Sequence, residues 1–87
     1  MDYEWDPTKA ALNHRKHRVD FADAVTVFAD PLAITMRDDR HAEDRFVTVG
    51  TDAQGQLLVV VFVWRGATIR VISARRPSRL ERRQYEA

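Results

Sequence analysis

The chain has 87 residues, 45% of them apolar and 31% charged, with a net charge of +1 and no cysteine. This balance fits one small folded domain over residues 1–87 rather than a disordered chain. The missing cysteines exclude disulfide scaffolds, thiolate zinc sites and cysteine nucleophiles. No apolar run reaches the ~18–20 residues of a membrane helix, and the acidic start Met1–Asp6 lacks a signal-peptide core. The expected compartment is therefore the cytoplasm, away from membranes. A domain this small leaves much of its surface unburied, so a partner would help it.

Asp6-Pro7 predicts a helix start, because Asp is a good N-cap and Pro is pre-set for the first helical position. This helix should reach Lys16 or His17, and its weak apolar face suits packing by one edge. Asp20 is expected to cap a second helix, with Phe21, Ala24, Val25 and Phe28 as one stripe. Asp30-Pro31 stops it. Leu32–Met36 is expected as a first strand, residues 38–44 as a polar loop, and Arg45–Val49 as a second strand. On that strand Arg45, Val47 and Val49 share one face, and Phe46 and Thr48 the other. Thr51–Gly55 should turn. Leu57–Trp64 is apolar on both faces, which predicts a central strand covered on both sides. A hairpin at Arg65-Gly66 would return Thr68–Ala74 antiparallel. Pro77-Ser78 then starts a last helix. The expected fold is α+β: two N-terminal helices, a four-stranded antiparallel meander and a C-terminal helix.

The small net charge hides a polarised chain. Residues 1–30 and 31–64 each carry −2, whereas residues 65–87 carry seven arginines against Glu81 and Glu86, or +5. Twelve of the 14 basic residues are arginine, the cation that forks onto phosphate and carboxylate. The segment from Ser73 to Arg79, with Arg75 and Arg76, joins a strand end, a turn and a helix start, where guanidinia and free N–H groups can meet an anion. A nucleic-acid phosphate is one ligand, an acidic protein another, and a merely solvated face a third reading. His41-x-Glu43-x-Arg45 would share a face if extended, placing an imidazole, a carboxylate and a guanidinium side by side. Polar loops also hold such residues by chance. The basic helix end Asn13–Arg18 suits the helix dipole. Its His14 and His17 would need a further ligand to hold a metal, and no second cluster offers one. No metal or cofactor is expected. Trp5 reads as a hydrophobic staple, Trp64 as core or rim, and Tyr85 as an anchor for the last helix or a proton donor.

These residues form an ordered set that resembles the BrnT-type toxins. The set opens with Glu4-Trp5-Asp6-Pro7-x-Lys9, Asn13-x-x-Lys16-His17, Val19-x-Phe21, Ala24 and Val27-Phe28-x-Asp30-Pro31. It continues with His41-x-Glu43-x-Arg45-Phe46 and Val49-Gly50, and closes with Arg70-x-Ile72-Ser73-Ala74-Arg75-Arg76, Glu81-Arg82 and Tyr85-Glu86. Arg18 departs from the pattern, which usually has glycine there, and a left-handed cap costs a non-glycine residue energy.

The resemblance implies a RelE-like ribonuclease that arrests translation, the toxin half of a type II toxin–antitoxin pair. A BrnA-like antitoxin would mask it, and DNA would be met only through that partner. It further implies metal-free cleavage by the RNA 2′-hydroxyl, with groups to take and give protons and cations to hold the phosphorane. The candidates are Arg45, Arg75 and Arg76 on the phosphate, Glu43 or His41 as base, and His17 or Tyr85 as acid. Lys9, Lys16, Arg70, Arg79 and Arg82 would follow the RNA backbone. A non-catalytic nucleic-acid-binding or regulatory module, using the same basic tail, is the alternative. An antitoxin-like partner protein is a third, against which the lack of a DNA-binding helix pair counts.

Overall fold

The computed structural model describes Met1–Ala87 as a five-stranded mixed sheet with helices on both faces. The elements are β1 (Asp2–Glu4), α1 (Pro7–His17), α2 (Phe21–Ala24) with a 3₁₀ helix (Val25–Ala29), β2 (Ile34–Asp38), β3 (Arg45–Thr51), β4 (Leu57–Arg65), β5 (Thr68–Arg75) and α3 (Arg79–Glu86). Strand order is β1-β5-β4-β3-β2. β2 to β5 form the expected antiparallel meander, but β1 adds a fifth strand, parallel to β5, with Tyr3 opposite Ile69. The expectation of four antiparallel strands is thereby corrected. β1 has three residues, two of them acidic, too short a run to show alternation. Only its partner β5 and the stacking of Tyr3 on Phe28 (centroids 5.8 Å apart) reveal it.

Asp6 caps α1 as expected, its Oδ1 accepting from Thr8 N at 2.9 Å, and Pro7 takes the first position. Arg18 closes the helix in the left-handed region (φ 59°), and its N–H donates to His14 O. Asn13 alone is buried on this helix. Its amide donates to Val19 O and Ala74 O and accepts from Ala74 N, so a polar pin rather than an apolar stripe fixes α1 to β5.

The second N-terminal helix differs from expectation. It is one α-turn that tightens into the 3₁₀ helix, and Asp20 makes no side-chain cap bond. Its buried residues are Phe21, Ala24 and Val27, spaced by three, which is the three-residue turn of a 3₁₀ helix. The β-branched run Val25-Thr26-Val27 also disfavours the wider α-turn.

β2 starts at Ile34 instead of Leu32, because Asp30 Oδ1 accepts from Leu32 N at 2.9 Å and holds residues 31 and 32 in a turn. β3 runs on to Thr51. The β4–β5 turn is Gly66-Ala67 rather than Arg65-Gly66: Arg65 pairs with Thr68, and Gly66 supplies the positive φ (62°). On the helix side a core of ten residues gathers, including Phe21, Leu58, Val60, Phe62, Ile69 and Val71. On the other side Val49, Leu57 and Val59 form a smaller cluster against Tyr85 of α3. β4 is thus covered on both faces, as its two-sided apolarity implies. Gly50 lets the 3₁₀ helix and the turn after it sit close, since a Cβ there would lie 3.3 Å from Val27 Cβ and 3.0 Å from Ala33 Cβ. No helix is long and apolar enough to cross a membrane.

A candidate nucleic-acid-binding face

Strand register assembles one face from all five strands. Asp38 lies opposite Arg45, Met36 opposite Val47, and Val47 opposite Val61. Val63 lies opposite Arg70, Arg70 opposite Glu4, and Val59 opposite Arg75. By alternation these side chains share the sheet face that α3 partly covers. α3 roofs only the Val49–Leu57–Val59 end. The remainder is an apolar floor of Met36, Val47 and Val61 with Arg45 and Arg70 at its margin.

Arg45, Arg70 and Arg75 on this face each hold a carboxylate, with different consequences. Arg75 grips Glu81 with two parallel bonds, both 2.8 Å. Glu81 also completes a capping box with Ser78, so Arg75 ties the start of α3 to β5. The hydrogen bonds from Arg75 lead in pushing Glu81 down to about 2. Arg75 is accordingly engaged with Glu81 at the half-buried start of α3. Arg45 instead gives one donor, Nε, to Glu43 Oε1 at 3.2 Å, and Arg70 gives Nη1 to Glu4 Oε2 at 2.6 Å. A guanidinium has five N–H donors, so both keep most of theirs unused, the donors that can fork onto an anion.

The His41-x-Glu43-x-Arg45 segment is not extended before Arg45; residues 39–43 form turns and bends. Glu43 meets Arg45, while His41 Nε2 lies 3.7 Å from Asp38 Oδ2. Asp38, which the sequence motif does not include, is nearly buried and receives Arg40 through N, Nε and Nη2. Those bonds hold its carboxyl well below the usual range.

The other candidates fall elsewhere. Tyr85 Oη donates to Asp30 Oδ2 at 2.6 Å, and Asp30 Oδ2 also accepts from Thr51 N and Thr51 Oγ1. The Thr51 and Tyr85 bonds lower Asp30, and the Asp30 bond raises Tyr85. Tyr85 therefore anchors α3. Arg76, Arg82 and Tyr85 line a cleft of about 420 Å³ with Gln56, whose Oε1 accepts from Arg76 Nη1 at 3.2 Å. Arg79 is exposed in the first turn of α3. Lys9, Lys16 and His17 line a shallow depression of about 250 Å³ with Ile72 and Ser73 at the β5 edge. The candidates thus divide among the sheet face, the α3 cleft and the β5 edge. Asp38 and Asp30 were missed because their partners are set by turn geometry and by tertiary contact.

Comparison with known proteins points one way. The family model described as ribonuclease toxin, BrnT, of type II toxin–antitoxin system matches residues 5–81. The crystal structure of the Brucella abortus ribonuclease toxin BrnT superposes with a TM-score of 0.68 at 27% identity, over 91% of this chain and 99% of that one. A search of curated protein sequences finds no match.

Proposed function

Because the chain belongs to the BrnT family of ribonuclease toxins from type II toxin–antitoxin systems, we propose that it cleaves RNA on the open sheet face and so arrests translation in the cytoplasm. A BrnA-like antitoxin masks it and makes any DNA contact. One observation carries the reading: two incompletely engaged guanidinia, Arg45 and Arg70, flank an open floor beside Glu43 and His41.

Arg45 and Arg70 hold the scissile phosphate and the charge that builds on it. Glu43 takes the proton of the 2′-hydroxyl as its oxygen attacks phosphorus. His41, oriented by Asp38 and paired with it when protonated, gives a proton to the departing 5′-oxygen. Arg76, Arg79, Arg82, Lys9 and Lys16 guide flanking phosphates, with His17 beside them. Arg75 and Tyr85 act by holding α3 rather than by touching RNA.

The test is cleavage of a labelled RNA. Arg45→Ala or His41→Ala should lower the rate by about 10²–10⁴-fold without changing the melting temperature. Products should end in 2′,3′-cyclic phosphate, and EDTA should leave the rate unchanged. Activity lost to EDTA and restored by zinc or magnesium would overturn the metal-free route. Salt-dependent binding without cleavage would favour the non-catalytic module instead.

A further inference from the structure

At the sheet end far from α3, a slot of about 370 Å³ opens between the start of β3 and the end of β4, among Glu43, Asp44, Phe46, Val63, Trp64 and Arg65. Trp64 is 45% exposed, unusual for the largest side chain in a small domain. It is not loose. Phe62 meets its ring edge-on at 6.2 Å, and Phe62 is itself buried and stacked on Phe46. The indole is therefore a braced aromatic plane facing solvent. By alternation it lies with Phe62 on the helix-side face, and the slot rounds the sheet end to the carboxylates of Glu43, which bonds Arg45, the phosphate cation of the proposed reaction, and of Asp44, which Arg37 Nη2 also holds.

The geometry points to a nucleobase slot: Trp64 is the stacking platform for the base on the 5′ side of the cut, and Asp44 reads that base's edge. This deepens the ribonuclease reading and rests on it. The nucleotide whose 2′-hydroxyl approaches Glu43 carries its base into the neighbouring space, where an exposed aromatic ring gains by stacking with it. A carboxylate only accepts hydrogen bonds. Guanine offers two adjacent donors, N1–H and N2–H, which one carboxylate takes together. Adenine and cytosine set one amino group beside an acceptor nitrogen. Uracil has one N–H between two carbonyls. The slot therefore prefers guanine and disfavours uracil.

The test uses tetranucleotides with 2′-deoxyribose throughout, which lack the nucleophile, titrated by tryptophan fluorescence on the intact protein and by anisotropy of a labelled oligonucleotide on every variant. A guanine oligonucleotide should quench the intact protein and bind about tenfold tighter than its uracil counterpart. Trp64→Ala should weaken binding by about tenfold and flatten the preference, whereas Trp64→Phe keeps the preference but loses the quench. Asp44→Asn, which leaves the platform in place, should reduce the guanine preference alone. Equal binding of all bases by the intact protein, or undiminished binding by folded Trp64→Ala, overturns the slot and leaves Trp64 to a protein contact. Base-selective binding by a chain that cleaves no RNA supports the slot while sinking the ribonuclease reading. RNA cleavage with no preference 5′ of the cut does the reverse.

Discussion

The two faces of the sheet are built by different forces. On the helix side ten buried residues pack together, and Phe28, Phe46 and Phe62 meet edge-on or stacked at 5.0–5.8 Å. On the other side three buried residues lie under α3, which buries none of its own. Two polar clasps hold that helix, Arg75–Glu81 at its start and Tyr85–Asp30 at its end. The first face is stabilised by area removed from water, which needs no particular direction. The second depends on direction and charge. A face that leaves guanidinia open to solvent cannot also be sealed beneath apolar side chains. The helix-side core thus supports a face that contributes little stability itself.

The largest effect should come from breaking the apolar side. Phe62 touches Phe28, Phe46 and Trp64 from the centre of β4. Phe62→Ala should cost about 3–5 kcal/mol, much of the roughly 5–10 kcal/mol expected for a domain this size. Urea unfolding measures it, and a cost near that of the clasp variants below would break the contrast.

Asn13 is a polar exception on that same side. Its three bonds to Val19 and Ala74 leave no group unsatisfied. Asn13→Ala would orphan the Ala74 N–H in a buried place and should cost about 2–3 kcal/mol, read by the same unfolding curve. A negligible cost would mean that α1 is held by its apolar contacts after all.

What could be read from the chain follows the range of the interaction involved. Local rules served well: the Asp6-Pro7 start, the Ser78 start of α3 and the two-sided apolarity of β4 need only neighbours a few residues away. The same rules failed where the partner is distant. β1 exists because β5 accepts it, and Asn13 and Asp30 gain their roles from residues 61 and 55 positions away. At the site, Arg45 on the open face was legible from strand alternation. The engaged state of Arg75 was not, because an arginine beside a turn looks the same whether or not a glutamate grips it. The spacing of His41, Glu43 and Arg45 misled because residues 39–43 turn.

The clasps make α3 acid-sensitive. Glu81 lies near 2 and Asp30 also lies below its ordinary range, so the folded chain binds fewer protons than the unfolded one at mildly acid pH. Their stabilisation is complete above the unfolded carboxylate value of roughly 4 and fades as pH falls towards 2. Protection of α3 amides, with the intrinsic exchange rate divided out, should therefore fall between pH 6 and pH 3 more than that of β4 amides. Glu81→Gln should cost about 1–2 kcal/mol at neutral pH and shrink that acid response. An equal loss of protection in α3 and β4 would erase the distinction between the faces.

The smallest predicted change is a gain. Arg18 is the only non-glycine residue with positive φ, and it closes α1 just before the buried Val19. A side chain in this conformation crowds its own backbone. Its Cβ strain persists because Arg18 N bonds His14 O on one side and Asn13 grips Val19 O on the other. Glycine adopts the same φ freely, although it loses more conformational freedom on folding. The two effects oppose each other, and relief of strain should win at a helix C-terminus of this kind. Arg18→Gly should therefore add roughly 0.5–1 kcal/mol, seen as a higher melting temperature, and leave the acid response of α3 unchanged. A fall in stability would mean that the arginine side chain contributes more than its backbone strain costs.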